Sequence, residues 1–337
     1  MGVSIRPLLE GCRHPVGFED IPGVAAIDAN NALYQFLSII RQADGTPLQD
    51  TKGRVTSHLS GILYRTAHFL ENGISPLYIF DGQPPELKAR TIAGRRGIRD
   101  AGEEKWAKAL ERGDTEGAYR AAMQSTRVDS AILESGKRLL DALGIPWVEA
   151  PSEGEAQSAL FVNNGIATYS VSQDYDSLLF GASVLVRNLT VSGKRRIGGR
   201  RVTVSPERIY LSEFLDTLAI TREQLIQIGI LIGTDFNVGI NGIGPKKALK
   251  IVRENRFNEV MAEKAPGTDP EPIMEFFLSP PAVERYQPEW RSPDPDSVRL
   301  ILCDEYGFSP ERILPVLERI AGPVNVKSGQ MRLDAWG

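Results

Sequence analysis

Three apolar runs in this chain end in aspartate, and their spacing limits the folds open to it more than any other feature. Gly23-Val-Ala-Ala-Ile-Asp28 and Pro76-Leu-Tyr-Ile-Phe-Asp81 read as buried strands, and so does Ala167 to Gln173, which runs into Asp174 and Asp176. Helical patterns separate them: one through Tyr34, Leu37 and Ile40, and one from Thr56 to Asn72 with Leu59, Ile62, Leu63, Phe69 and Leu70 on its apolar side. Strands alternating with helices imply an α/β fold with a parallel sheet. Such sheets bind ligands beyond the carboxyl ends of their strands, the end where Asp28, Asp81, Asp174 and Asp176 fall. A single aspartate after a strand is ordinarily a turn residue or a helix cap. Three strands ending the same way ask for a shared role.

Ala150-Pro-Ser-Glu-Gly-Glu-Ala-Gln-Ser-Ala-Leu160 adds Glu153 and Glu155 at the start of a helix. With Asp174 and Asp176 they place four carboxylates at the edges of one strand–helix unit. Like charges this close raise one another's pKa and destabilise a fold unless something neutralises them. A pair of divalent cations would do so. Ser152-x-x-Glu155 is also the pattern of a capping box, in which Glu155 only satisfies the helix start.

With 337 residues, 42% of them hydrophobic, the chain can bury one large core or two small ones. A net charge of -4 excludes a protein that is basic overall and leaves room for a local basic face. Cys12 and Cys303 form no pairing or zinc-ribbon pattern, and His14, His58 and His68 do not cluster with them. No run of ~18 apolar residues suits a membrane span, and the N-terminus lacks the apolar core of a signal peptide. A soluble intracellular protein with no membrane partner is expected.

Between Gly82 and Val128 the composition changes. Leu87-Lys-Ala-Arg-Thr-Ile-Ala-Gly-Arg-Arg-Gly-Ile-Arg99 is basic, and Glu103 to Met123 is helical with few large apolar residues. Such a segment buries little surface, so it is expected to project as a helical arch or mobile lid, or to be a solvated helix pair. A cationic face beside an acidic pocket suits a phosphodiester. Further on, Ser183 to Arg187 reads as a strand, and Ser192 to Arg201 as a basic hairpin tip or a plain solvated turn. Leu211 to Leu218 and Arg222 to Leu231 read as helices. Gly242-Ile-Gly-Pro-Lys246 is a glycine turn opening a helix, where free backbone amides can bind phosphate. Residues 265–296, rich in proline and acid, are expected to wrap the surface; Ser297 to Ile320 reads as helix, and Gly322 to Gly337 as a flexible tail.

Together these residues carry a resemblance. Met1-Gly-Val, Ala26-Ile-Asp-Ala, Thr56-Ser-His-Leu, Phe80-Asp-Gly-Gln-Pro-Pro, Ala150-Pro-Ser-Glu-Gly-Glu-Ala, Asp174-Tyr-Asp-Ser-Leu-Leu-Phe-Gly and Gly233-Thr-Asp-Phe with its following glycine turn occur in the order found in flap endonucleases. The chain resembles that family, the structure-specific 5′ nucleases of replication and repair, over nearly its whole length. The resemblance implies a PIN-like 5′ nuclease fold: a mainly parallel sheet flanked by helices, with a helical arch over about 82–128 and a helix–two-turn–helix over about 225–255. It implies one nuclease domain over 1–322, with an N-terminal region to about 100, an internal region over about 120–250 and a tail over 323–337. It assigns metal ligation to Asp28, Asp81, Glu153, Glu155, Asp174, Asp176 and Asp235, the last of which spacing alone does not suggest. Lys88 and Arg95 match the catalytic arch cations. DNA contacts fall on Gly2, Tyr34, Arg96, Gly242, Gly244, Lys246 and Lys247. Gly2 would be the N-terminus once Met1 is removed, and Tyr34 would stack on a base unless it is a core aromatic. Gln173 and Ser4 depart from the residues common in the family.

All-oxygen ligands suit two magnesium ions, with manganese as substitute. The resemblance adds a potassium ion at the glycine turn. It implies removal of 5′ flaps from branched DNA during Okazaki fragment maturation and repair, with an associated 5′–3′ exonuclease activity. Two other readings stay open: a purely exonucleolytic 5′ nuclease, distinguished by whether activity needs a flap, and a catalytically silent junction binder, distinguished by magnesium-dependent cleavage. Gln330, Leu333 and Trp336 resemble the motif that docks on a PCNA-type sliding clamp, with Gly337 where a second aromatic is common. The implied protein is a monomer, cytoplasmic in an archaeon and nuclear in a eukaryote.

Overall fold

The computed structural model describes residues 2–42, 44–191, 193–197 and 200–334. Its strands are β1 (His14–Pro15), β2 (Gly23–Asp28), β3 (Ile74–Phe80), β4 (Trp147–Glu149), β5 (Tyr169–Val171), β6 (Val184–Arg187), β7 (Gly193–Ile197), β8 (Arg200–Val204) and β9 (Glu207–Tyr210). Seven of them form one sheet in the order β1-β9-β6-β5-β2-β3-β4. From β6 to β4 all neighbours are parallel; β9 and β1 close the other edge antiparallel. The chain leaves β2 for β3 and β4, then returns to β5 on the far side of β2. That reversal opens a crevice beyond the carboxyl ends of β2 and β5, the usual ligand site of an open α/β sheet.

The helices are α1 (Ala29–Ile39), α2 (Ser57–Glu71), α3 (Ala89–Glu111), α4 (Thr115–Gln124), α5 (Ser130–Ala142), α6 (Gly154–Asn163), α7 (Asp176–Leu179), α8 (Leu211–Leu218), α9 (Arg222–Ile232), α10 (Pro245–Arg253), α11 (Phe257–Lys264), α12 (Glu271–Leu278), α13 (Pro295–Arg299) and α14 (Pro310–Asp334). The central strands are covered on both faces. Tyr78 and Phe80 of β3 join one core, built with Leu33, Phe36, Leu63, Leu139 and Leu317 from α1, α2, α5 and α14. Leu77 and Ile79 point the other way, toward Phe161 and Val162 of α6. A second large core gathers Val3, Ile5 and Leu9 with Phe214, Ile228, Val252 and Phe277.

The segment after α12 wraps the edge strand β4, as its composition suggested. Val283 exchanges hydrogen bonds of 2.6 and 2.9 Å with the side chain of Gln157. Tyr286 stacks on Phe161 at 5.6 Å and donates to the Trp147 carbonyl, and Trp290 donates to the Pro76 carbonyl at 2.9 Å. Covering an edge in this way blocks strand addition.

Several boundaries differ from the sequence reading. The third strand shrinks to Tyr169–Val171, and the residues after it turn toward the crevice. β4 was not anticipated. Ser297 to Ile320 is not one helix: a wide π-type segment over Leu300–Glu305 and a break at Gly307 separate α13 from α14. The tail expected to be flexible from Gly322 continues as α14 to Asp334, including Gln330 and Leu333. Extending an anchored helix requires no new nucleus, so backbone bonds carry it past its last packed apolar residue. Trp336 and Gly337 lie outside the described residues. The basic hairpin forms as β7 and β8, with Lys194 opposite Thr203 and Arg196 opposite Arg201.

His58, at the start of α2, is buried and meets Ser135 Oγ at 2.8 Å through Nε2, while its Nδ1 has no partner. Burial pushes its pKa down to about 4, against a smaller pull from Asp129. A depressed base binds fewer protons folded than unfolded, so stability is complete above its unfolded value of ~6.5 and is lost as pH falls toward about 4. This group alone is expected to cost about 3 kcal/mol across that window. Chemical denaturation of the wild type and His58→Leu between about pH 7 and pH 4 should show a shallower pH dependence in the variant.

Candidate metal centre and nucleic-acid face

The crevice collects carboxylates from five parts of the chain. Asp28 ends β2 and caps α1, accepting from Asn31 N at 2.9 Å. Asp81 follows β3 and accepts from Gly154 N at 2.8 Å. Glu153 and Glu155 flank the first turn of α6. Asp174 and Asp176 follow β5, and Asp176 Oδ1 accepts from Val3 N at 2.6 Å. Asp235 lies in the loop after α9 and is buried.

The capping-box reading of Ser152 and Glu155 does not hold. Glu153 is the N-cap of the helix, with no side-chain cap hydrogen bond, and Ser152 Oγ is buried without a partner among the described residues. Glu155 reaches inward instead, to Ser172 Oγ at 2.8 Å. Glu153 and Glu155 share the centre because Glu153 is at the non-helical cap position, where the 100°-per-residue rotation of a helix does not yet apply.

Charge divides the cluster. Lys88 Nζ pairs with Glu153 and lies 3.6 Å from Asp235 Oδ2. Arg95 NH2 bonds both oxygens of Asp235 at 2.7 and 2.6 Å, and Thr91 donates to the Asp235 carbonyl. Lys88, Thr91 and Arg95 are spaced i, i+3, i+7, so one stripe at the base of α3 faces these acids. On the other side, no basic side chain among the described residues forms an ion pair with Asp28, Glu155, Asp174 or Asp176. Burial, then Asp81, raises Asp28 well above the ordinary carboxylate range. Burial, then Asp176 and Asp174, does the same to Glu155. Asp176 rises to about 7 through burial and Asp174, against the Val3 hydrogen bond. Even Glu153 is raised, because burial outweighs Lys88. Burial opposes the charge on Lys88, yet Glu153 holds its pKa above the ordinary lysine value.

Among the described residues no three acids close into a ready cation cage, since Glu153 and Asp235 are turned onto Lys88 and Arg95. The donor set nevertheless fits hard divalent ions. It is all carboxylate oxygen, and the described His and Cys side chains lie elsewhere. Five acids without a paired cation among the described residues, Asp28 and Asp176 of them buried, are a charge deficit that such ions would relieve.

The remaining sequence candidates border this centre or lie on a second face. Gly2 packs directly on it: a Cβ there would sit 2.6 Å from Asp176 Oδ1. Tyr34 is 43% exposed, which overturns the core-aromatic reading; its hydroxyl reaches the Met123 carbonyl at 3.5 Å. Arg96 is exposed on α3. The glycine turn leads into α10, with Gly242 at φ +78, Gly244 as N-cap and Pro245 in the first turn. A Cβ at Gly244 would meet open space, and Lys246 and Lys247 are exposed. Lys247 Nζ lies 3.3 Å from the Gly242 carbonyl.

Sequence reasoning missed the residues that hold the carboxylates: Asn30, whose Oδ1 accepts from Asp81 N at 3.3 Å, and also Asn31, Thr91 and Ser172. The paired asparagines two and three residues after Asp28 were the available signal. A cavity of about 770 Å³ lies apart from the acids, lined by Phe36, Leu48, Tyr64, Thr190, Tyr306 and Phe308 among others.

Residues 3–102 match the XPG N-terminal domain, and residues 144–235 the XPG I-region. The chain is 58% identical over 336 residues to flap endonuclease 1 of Methanoculleus marisnigri, covering 100% of both. It superposes on the solved flap endonuclease-1 from Methanococcus jannaschii with a TM-score of 0.76 and 38% identity, covering 94% of this chain and 97% of that one. The catalytic core of Rad2 in complex with DNA shares the fold, at TM-score 0.69 and 22% identity over 95% of this chain and 100% of that one.

Asp176→Asn removes one of the unpaired charges. A raised carboxyl binds its proton more tightly when folded, so its stabilising effect is lost as pH rises through about 7. Metal-free wild type should therefore lose stability between about pH 4 and pH 7, and the variant should be more stable at the upper end by roughly 2 kcal/mol. Denaturant titration of both proteins in EDTA measures the difference; added magnesium should narrow it.

Proposed function

The chain belongs to the flap endonuclease family and is a structure-specific, phosphodiester-hydrolysing nuclease of DNA replication and repair; on that premise we propose that its acidic crevice holds two magnesium ions and removes 5′ flaps from branched DNA. The observation that carries this is the cluster of seven carboxylates, of which only Glu153 and Asp235 have a basic ion-pair partner among the described residues. Asp28, Asp81, Glu153, Glu155, Asp174, Asp176 and Asp235 would hold the ions. When bound, such a pair supplies a nucleophile at neutral pH and neutralises the attacking and leaving oxygens of an in-line displacement. Manganese satisfies the same donor set.

The chain's own groups do the rest. Lys88 and Arg95 now neutralise Glu153 and Asp235, and they are the cations ion-paired with the acids among the described residues. With ions in place they are free to donate to the scissile phosphate and stabilise its developing charge. Tyr34, exposed beside α4, offers a ring for an unpaired base, and Arg96 extends the cationic side of α3. Gly242, Gly244, Lys246 and Lys247 form a second contact with the duplex backbone, through open main chain and two exposed ammonium groups. A potassium ion at this turn would take the Gly242 carbonyl from Lys247. Recognition by backbone and junction shape follows from the lack of any base-reading element at these positions. The helical tail through Gln330 and Leu333 would carry Trp336 to a sliding clamp. The enzyme would act as an intracellular monomer.

A labelled double-flap DNA with and without magnesium tests the reading. Wild type should cut near the junction only with the ion, and Asp176→Ala should bind the DNA while losing nearly all cleavage. Wild-type turnover by that variant would overturn the metal assignment. Lys88→Ala should slow the single-turnover rate by at least ~10²-fold with little change in DNA affinity. A fall in affinity at an unchanged rate would reduce Lys88 to electrostatic steering.

A further inference from the structure

Behind Asp174 runs a line of side chains that no part of the proposed chemistry uses. Asn31 Nδ2 donates to Asp174 Oδ2 at 3.4 Å. Asn31 Oδ1 accepts from Gln35 Nε2 at 2.5 Å, one helical turn along α1. Gln35 Oε1 accepts from Thr190 Oγ1 at 2.9 Å, and Gln35 and Thr190 are both buried. The direction of this chain is set at one end. A carboxylate only accepts, so the amide nitrogen of Asn31 must face Asp174. The Asn31 oxygen then faces Gln35, which must turn its own nitrogen to it and its oxygen to Thr190. Every donor points toward Asp174, so each bond polarises the next.

Asn31 also ties two parts of the centre together. Its backbone N–H is held by Asp28 Oδ1 while its side chain reaches Asp174. Asp28 ends β2 and Asp174 follows β5, the two strands on either side of the crevice. We propose that Asn31 is a positioning residue for the metal centre, and that Gln35 and Thr190 form a buried relay that fixes its orientation. Asn31 touches neither substrate nor ion; it acts through Asp174, holding one carboxylate oxygen so that the other is presented to the crevice. Thr190 is the remote anchor, from a turn that packs beside α1.

The inference rests on the reading of the crevice as a metal site, and manganese titration by calorimetry separates the two. If the wild type binds no manganese, the metal reading fails. If the wild type binds and the relay holds, Asn31→Leu should weaken binding by about 10- to 100-fold, the usual effect of losing a group that orients a ligand. Thr190→Val, which keeps the shape and removes the hydroxyl, should weaken it in the same direction. Thr190→Ser should restore it to within about twofold of wild type, which a packing role for the lost methyl would not predict. Melting of each metal-free variant in EDTA shows that it is folded, with some loss of stability expected from the unsatisfied buried amide; its DNA affinity in EDTA serves as the control and should match wild type. Should Asn31→Leu fail to fold, the Val and Ser variants carry the comparison alone. Manganese affinity unchanged in Thr190→Val and in folded Asn31→Leu would overturn the relay.

Discussion

Repulsion among buried carboxylates is the constraint on which this structure turns. Seven acids converge where the chain reverses around β2, and burial makes each negative charge more expensive than it would be in water. The protein offsets only part of this itself. Val3 N, Gly154 N, Asn31 N and Ser172 supply hydrogen bonds, and Lys88 and Arg95 supply two positive charges. The compensation is lopsided: both cations fall on the Glu153–Asp235 side, and the Asp28–Glu155–Asp176 side is left with raised pKa values. Such a centre has a driving force to take up external cations, and the size of the deficit makes that uptake part of the fold's stability.

Much of this was legible because the decisive residues follow strands directly. A buried strand ending in aspartate can be read locally, and the order of strands and helices then places those ends together. Glu155 was ambiguous because it stands three residues after Ser152, the spacing of a capping box, as well as beside Glu153. Only the tertiary path of the side chain, inward to Ser172, separates them. Asp235 sits in a loop after α9 and has no local signal; the resemblance supplied it. Asn31 stayed hidden for a different reason. An asparagine in the first helical turn reads as local capping, and its meaning appears only when β5 returns beside β2 and brings Asp174 within reach. The helical course past Gly322 was not legible because apolar content reports packing, whereas a helix already anchored by Ile313, Val316, Leu317 and Ile320 can extend by backbone bonds.

The same electrostatics govern the arch. α3 carries few large apolar residues, and Ile92 and Ile98 on it are exposed, so packing along its length gives it little hold on the sheet. Its base is fixed instead by Lys88 on Glu153 and by Thr91 and Arg95 on Asp235. At its far end α4 buries Ala118 and Ala122, and Arg41 donates to Thr126 Oγ1 at 2.6 Å just beyond it. One end of the arch therefore rests on packing and the other largely on charge. Any cation that competes for Glu153 and Asp235 must weaken the charged end without touching the packed one. The position of Lys88 and Arg95 is then linked to the occupancy of the acids by the reciprocity that any two competing ligands obey. On the proposed reading, a phosphate arriving with its own negative charge would favour the arrangement in which metal ions hold the acids and the arch cations hold the phosphate. The cations that now pair with Glu153 and Asp235 would then be the ones delivered to the substrate.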